Sequence, residues 1–358
     1  MKTRVKGKEI KGLSSSVIYG PNASGKTNII GAMDVLRSIV LRGNIRNSEE
    51  KSSPNPAAEA LELIPNSDDT EGKPVCFSIE FYTGDAENQF RILYELEIDL
   101  GVFLNEDYPR RIISENLFVN GEPVFQRSGR LYLGNMKVIK GYLSGVTVQN
   151  PDSISEIAEN SLSQDELFLT NGFRLVVSPG FARLIADWFA DKFMIICRAD
   201  SMQLIKRFAD PKKKAVYIEK TTDQAAKLFG INSNAVGYVV SEEEPDAKLY
   251  SIFRDAQNRK SRAVAAEIFE SYGTIRFINM FPLVIKAIQT GGTLVVDEFD
   301  ASIHPMALMS IINVFHNDEV NIHHAQLIFN THNPIFLNSN LFRRDEIKFV
   351  ERDDDSHQ

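Results

Sequence analysis

Gly20-Pro-Asn-Ala-Ser-Gly-Lys-Thr27 constrains this chain more than any other segment. The apolar run Val17-Ile18-Tyr19 leads into it and Ile29-Ile30 leads out, so the stretch reads as strand, tight turn and helix. Glycines let the backbone turn tightly enough to point successive N–H groups at an anion. The helix that follows adds its positive end at the same place. In the spacing GxxxxGK[ST], Gly20, Asn22, Ser24 and Gly25 belong to the cradle. Lys26 can reach β- and γ-phosphate oxygens as a point charge, and the Thr27 hydroxyl can ligate Mg²⁺. The plainer reading is a Gly-rich turn before a helix. Ile29, Met33, Leu36 and Val40 recur at helical spacing, as expected of a helix that covers a sheet, and this favours the phosphate loop.

A phosphate loop needs a carboxylate partner for its metal. Thr293-Leu-Val-Val reads as a buried parallel strand, and Asp297-Glu298 follows at its C-terminal edge, where open α/β sheets bind ligands. There Asp297 would hold Mg²⁺, and Glu298 would polarise the water that attacks the γ-phosphate. A helical run from Met306 to Phe315 comes next, then a second buried strand, Ala325 to Phe329, ending in Asn330-Thr331-His332. His332, just past a strand neighbouring the acidic one, can reach the γ-phosphate edge; alone it would read as a polar strand end. Upstream, Ser271-Tyr272-Gly273 opens the apolar helical run Phe277 to Ile288. Such a turn is an ordinary N-cap or a second anion site.

Taken in order, these motifs resemble the ATP-binding-cassette ATPases of the SMC and RecF type, in particular the branch with the RloA-like and OLD-like defence ATPases. The residues that carry the likeness are Tyr19 to Thr27, Glu270-Ser-Tyr-Gly-Thr274, Asp297-Glu-Phe-Asp-Ala-Ser-Ile-His-Pro305 and Thr331-His332. The resemblance implies an α/β P-loop NTPase of ABC type that binds ATP and Mg²⁺. It implies a homodimer or higher oligomer in which each ATP lies between one subunit's phosphate loop and the other's signature turn. On that basis Ser271 and Gly273 touch the partner's nucleotide, Glu298 is the general base and His332 the switch histidine. Asp300 and Ser302 belong to a loop that communicates across the dimer. Three features depart from the family pattern. Tyr272 stands where a small or acidic residue is usual. Only nineteen residues precede the phosphate loop, so the N-terminus reads as shortened. The glutamine expected between Lys26 and Ser271 is either Gln149 or Gln164.

The remaining sequence divides the chain into 1–150, an ATPase core with a β-lobe; 151–245, a helical lid; and 246–358, the rest of the core. Asn47 to Thr70 reads as a loop, and Pro74–Tyr82, Gln89–Leu100 and Arg111–Val119 as antiparallel strands with turns at Thr83-Gly84 and Asn120-Gly121. From Ser153 to Phe229 the pattern is helical, with Trp188 in an apolar face, and no sustained heptads suggest long coiled-coil arms. The acidic end Glu351–Gln358 reads as frayed.

A net charge of −8 argues against a chain that coats nucleic acid throughout. Basic clusters at Lys206-Arg207, Lys212–Lys214, and Arg254, Arg259, Lys260 and Arg262 leave a local DNA track open, beside the plainer reading of solvated surface. No apolar stretch is long enough to span a bilayer. Cys76 and Cys197, far apart, suggest neither disulfide framework nor metal hook, which fits a reducing cytosol. His323-His324 reads as a solvated turn pair. No Toprim domain follows the ATPase, so a toxic or nuclease activity would belong to a separate effector protein. Two further readings stay open: an ATPase of DNA maintenance that binds duplex when ATP is present, and a scaffold held together by nucleotide.

Overall fold

In the computed structural model the described residues are 2–5, 8–47, 63–65, 73–84, 88–103, 110–143, 153, 155–156, 160–197, 235–239, 248–254 and 261–352. The chain forms two compact units. The first holds residues 1–4, 9–34 and 191–352; the second holds 5–8, 35–190 and 353–358. In chain order the first unit contains β1 (Lys2–Val5) and β2 (Lys8–Lys11), which form a two-stranded sheet, then β3 (Ser15–Tyr19) and the start of α1 (Lys26–Arg42). The second unit carries β4 (Val75–Gly84), β5 (Gln89–Asp99), β6 (Arg111–Val119), β7 (Glu122–Ser128), β8 (Arg130–Leu133) and α2 (Pro179–Asp187). The chain then returns to the first unit with β9 (Phe193–Ile196), β10 (Ala235–Val239), β11 (Lys248–Arg254), β12 (Ser261–Ala265) and the one-turn helix α3 (Ala266–Phe269). It closes with α4 (Tyr272–Thr290), β13 (Thr293–Val296), α5 (Pro305–His316), β14 (Gln326–Thr331) and β15 (Ile347–Phe349).

The core of the first unit is a five-stranded sheet in the order β15-β3-β14-β13-β9, parallel throughout. Register aligns Val17, Phe329, Val296 and Ile196 across it, so these residues share one face. They merge into one apolar cluster with Phe277, Met280 and Val284 of α4 and Leu308, Ile311 and Phe315 of α5. Ile18, Val295 and Ile195, each one residue away along its strand, point to the opposite face and are buried too. Burial on both faces is what a parallel sheet requires, and it explains why these strands read as continuous apolar runs. All of the strands end at the same edge, which brings the residues after β3, β13 and β14 together.

A three-stranded antiparallel sheet, β10-β11-β12, precedes α3 and α4. Gly291, with φ 65°, ends α4 in a left-handed cap. Its close approach to the His323 carbonyl leaves no room for a side chain.

The second unit contains the antiparallel sheet β4-β5-β6-β7-β8, matching the strand readings at Pro74–Tyr82, Gln89–Leu100 and Arg111–Val119. Asn120 (φ 55°) and Gly121 (φ 88°) make the left-handed turn between β6 and β7, the hairpin geometry that an Asn-Gly pair favours. A widened helical segment, Leu169–Val177, carries i→i+5 hydrogen bonds such as Phe173 N to Phe168 O (2.7 Å) and leads through Ser178 into α2. Trp188 stacks on Phe81 with ring centroids 3.8 Å apart and 17° between planes.

Four expectations are corrected or delimited here. The helical run read from Ser153 to Phe229 is broken by β9, whose Phe193–Ile196 is a fully buried strand of the parallel sheet. A short apolar run cannot reveal its own period, and only the pairing with β13 makes it a strand. The apolar face read along α1 holds at Leu36 and Val40, which are buried, and at Met33, which is half-buried, but Ile29 is 37% exposed and Ile30 and Ile39 are buried instead. The nineteen residues ahead of the phosphate loop, which read as a shortened N-terminus, hold two short paired strands, β1 and β2, before β3. Of the loop read at Asn47–Thr70 only Asn47 and residues 63–65 are described. The rest of it, the lid residues 201–234, Gln149, the basic clusters from Lys206 to Lys214, and the tail from Asp353 all lie outside the described residues.

Candidate nucleotide site

The phosphate loop leaves β3 at Tyr19 and enters α1 at Lys26. Its turn alternates a positive φ at Ala23 (61°) and Gly25 (95°) with ordinary residues, a backbone form that gathers N–H groups around an anion. Gly20 has to be glycine, because a Cβ there would overlap the Val350 carbonyl and the Ser24 hydroxyl. A Cβ on Gly25 would meet nothing, so the loop is open on that side. The Ser24 hydroxyl is buried within the cradle and has no partner among the described residues. Lys26 Nζ donates to the carbonyls of Gly20 (2.8 Å) and Pro21 (2.7 Å), which holds the ammonium over the loop. Asn22 is exposed at the turn. An open cradle with a poised cation and a buried, unengaged hydroxyl fits a phosphate chain.

The metal position is built from both ends of the chain. Thr27 Oγ1 donates to Asp297 Oδ1 at 3.1 Å across 270 positions of sequence. Asp297 follows β13, is 7% exposed, and its N–H extends the ladder to Ile196 O at 2.8 Å. The Asn330 amide donates to the same Oδ1, so Oδ2 takes no hydrogen bond among the described residues. A hydroxyl and a carboxylate are the hard oxygen donors that suit Mg²⁺. Among the described residues no group of three or more His, Cys, Asp or Glu forms a separate metal site.

Glu298 is exposed and has φ 49°, a conformation rare for residues with a side chain. Its N–H donates to Asn330 Oδ1 at 2.5 Å. From the other side, Arg276 Nη2 donates to the carbonyls of Asp297 (3.1 Å) and Glu298 (2.6 Å). Arg276 is only 5% exposed, and burial pulls its guanidinium pKa below the usual value, while the charges of Tyr272, Glu298, Asp300 and Asp297 act in the opposite sense. His332 lies exposed just past β14, two residues beyond Asn330. Asp300 is half-buried in the loop after the acidic pair.

Ser271 caps α4 by accepting from Thr274 N at 3.2 Å, and it shares a hydrogen bond with Thr274 Oγ1 at 2.9 Å. Gly273 sits against Ser302, whose carbonyl occupies the place a Cβ would need. Among the described residues no hydrogen bond joins Ser271 or Gly273 to the phosphate loop. Tyr272 beside them is 52% exposed. Gln164 is exposed in the second unit, with its carbonyl accepting from Ile112 N at 2.9 Å.

Sequence reasoning therefore found Gly20, Lys26, Thr27, Asp297 and Glu298 on one sheet edge but missed Asn330 and Arg276. Each left a signal: a polar residue ending an apolar strand pattern, and a lone cation heading an apolar helical run.

A parallel sheet with a phosphate loop after one strand and an Asp-Glu pair after another defines a P-loop nucleotide-binding protein. The chain belongs to the AAA family described as "AAA domain, putative AbiEii toxin, Type IV TA system", whose model matches residues 15–338. That membership makes it a P-loop ATPase of a family associated with type IV toxin–antitoxin systems. No curated protein matches the chain. No helix among the described residues is long and apolar enough to cross a membrane.

Proposed function

We propose that this chain is an ATP-hydrolysing head that pairs with a second copy when ATP binds and thereby controls a separate effector. The observation that carries the reading is the Thr27–Asp297 hydrogen bond, which links the phosphate loop to the acidic strand end. Lys26 and the loop N–H groups bind the β- and γ-phosphates, with Gly20, Asn22, Ser24 and Gly25 shaping the cradle. Thr27 and Asp297 hold Mg²⁺, which when bound neutralises charge on the phosphate oxygens. Glu298 accepts the proton of the attacking water, and His332 contacts the γ-phosphate edge from the end of β14. Ser271 and Gly273 face the nucleotide held by the second copy, and the loop bearing Asp300 lies between the two sites. The ABC-type arrangement of the RloA-like and OLD-like branch, with a lid over the core, is part of this reading.

The effector is a toxin or nuclease encoded apart from this chain, in line with the toxin–antitoxin association of the family. The cytoplasm is the compartment in which such an ATP-driven control would operate.

Glu298→Gln tests the proposal. The variant is expected to lose Mg²⁺-dependent phosphate release while still binding ATP, and to accumulate as an ATP-bound dimer by light scattering. Unchanged phosphate release removes Glu298 from the mechanism, and a monomer under saturating ATP removes the pairing.

A further inference from the structure

We infer that Arg276 and Asn330 are positioning residues that hold Asp297-Glu298 from two sides, and that Arg276 ties that geometry to the turn opening α4. The inference rests on the reading of Glu298 as the base.

A left-handed conformation at a residue with a side chain is disfavoured and persists only where its surroundings over-determine it. At Glu298, with φ 49°, the surroundings can be named. Asn330, 1% exposed, accepts the Glu298 N–H through Oδ1 and donates through Nδ2 to the Asp297 carboxylate. One amide thus fixes the side chain of the first acid and the main chain of the second. Arg276 Nη2 binds the carbonyls of both acids, at 3.1 Å and 2.6 Å. With the Glu298 N–H and carbonyl both tied, its φ and ψ have little freedom left.

Burying a guanidinium is costly, and an apolar residue of similar volume would suit the fold as well or better. The charge at Arg276 is therefore accounted for by what it holds. Its place on α4 gives the second half of the inference. Ser271 is the N-cap of that helix, Gly273 lies against Ser302, and Arg276 comes one turn later against Asp297 and Glu298. The opening turns of α4 thus fit both ends of the loop 297–302, and Ser302 at its far end also has a positive φ (63°). A displacement of the Ser271–Gly273 turn has to move this loop at one end or strain it at the other. Arg276 Nη1 and Asp300 Oδ1 are both buried without partners among the described residues, and the Asp300 charge acts on Arg276. They offer the guanidinium a second partner once the turn shifts. A nucleotide contact on this turn would reach the base through a single helical turn.

The test uses the full-length chain with ATP and Mg²⁺, and follows phosphate release, affinity for a non-hydrolysable ATP analogue and thermal unfolding. Arg276→Met and Asn330→Ser are each expected to lower kcat by about tenfold or more while analogue affinity stays within about threefold. Arg276→Lys, whose ammonium can still donate to both carbonyls, is expected to recover most of kcat. In a double-mutant cycle the loss caused by Gly273→Ala shrinks when residue 276 is already Met, because the connection has been cut. Wild-type-like kcat in both Arg276→Met and Asn330→Ser overturns the positioning role, as does a parallel loss of kcat and affinity. Additive losses in the cycle overturn the tie to the α4 turn. If Arg276→Met does not fold, Asn330→Ser carries the first test, and the cycle is run with Arg276→Ala, which also removes both donors. A wild-type chain that releases no phosphate instead defeats the reading of Glu298, and the inference with it.

Discussion

Each unit buries a carboxylate on its central sheet, and the two are treated in opposite ways. Glu115, on β6 of the second unit, is fully buried, and its oxygens accept from Phe168 N (2.6 Å), Leu169 N (2.9 Å) and Tyr94 OH (3.0 Å), with Arg127 3.7 Å away. Asp297, at the end of β13 in the first unit, takes both of its side-chain hydrogen bonds on Oδ1 and keeps Oδ2 clear among the described residues. Glu115 is thus used up by its own protein, where it ties two strands to the start of the widened helix Leu169–Val177. Burial of an acid does not by itself mark a site; what counts is whether the protein's own donors exhaust it.

The largest effect is expected directly beside Asp297, at the strand end whose acid keeps an oxygen clear among the described residues. Glu298→Gln is expected to reduce phosphate release by about 10²–10⁴-fold, read in a coupled phosphate assay, with unfolding temperature near that of the wild type. The corresponding change at the other carboxylate should do the reverse. Glu115→Leu strands two backbone N–H groups and the Tyr94 hydroxyl, and is expected to cost about 3 kcal/mol of stability in urea unfolding. Affinity for nucleotide in the folded fraction should be unchanged.

Glu115 also predicts a pH dependence. Burial raises its pKa above the ordinary carboxylate range, partly offset by the Leu169 and Phe168 N–H groups, Arg127 and Tyr94. A carboxyl with a raised folded value binds its proton more tightly folded than unfolded. Its contribution is therefore greatest at acid pH and is lost as pH rises from the ordinary carboxylate value through the raised one. Glu115→Gln should flatten the stability profile over that window.

The smallest effect, of opposite sign, is expected at the far end of the first unit's sheet. There Ser15 Oγ lies 2.6 Å from His316 Nε2, and Glu346 Oε1 is 3.6 Å from the same nitrogen. Burial lowers the His316 pKa, opposed by Glu346 and reinforced by Arg343. A histidine whose folded value is depressed contributes stability that is present above its ordinary value and lost as pH falls below it. His316→Gln should remove this acid sensitivity, read as a flatter stability profile by urea unfolding at mildly acid pH.

Much of the nucleotide site was legible because its signals are local. A turn that needs Gly20 and Gly25, a lysine and threonine opening a helix, and an Asp-Glu pair closing an apolar strand each lie within a few residues. The antiparallel sheet was legible for the same reason, since alternation along β4, β5 and β6 and the Asn120-Gly121 turn are read over short windows. By contrast, β9 could not be told from helix, because four apolar residues carry no period. The buried stripe of α1 was misread at Ile29, because spacing fixes a helix but not which of two adjacent residues faces inward.

The sequence by itself determined that this chain makes a phosphate cradle and an acidic strand end, since both follow from backbone chemistry within a single turn. Only the tertiary structure decided that Thr27 meets Asp297, that Asn330 and Arg276 hold Glu298 in a left-handed turn, and that Gly273 is packed against Ser302 of its own chain. The reason is physical: a side chain's partner depends on which strands become neighbours. In a parallel sheet those neighbours come from distant parts of the chain, joined by pairing that no local pattern records.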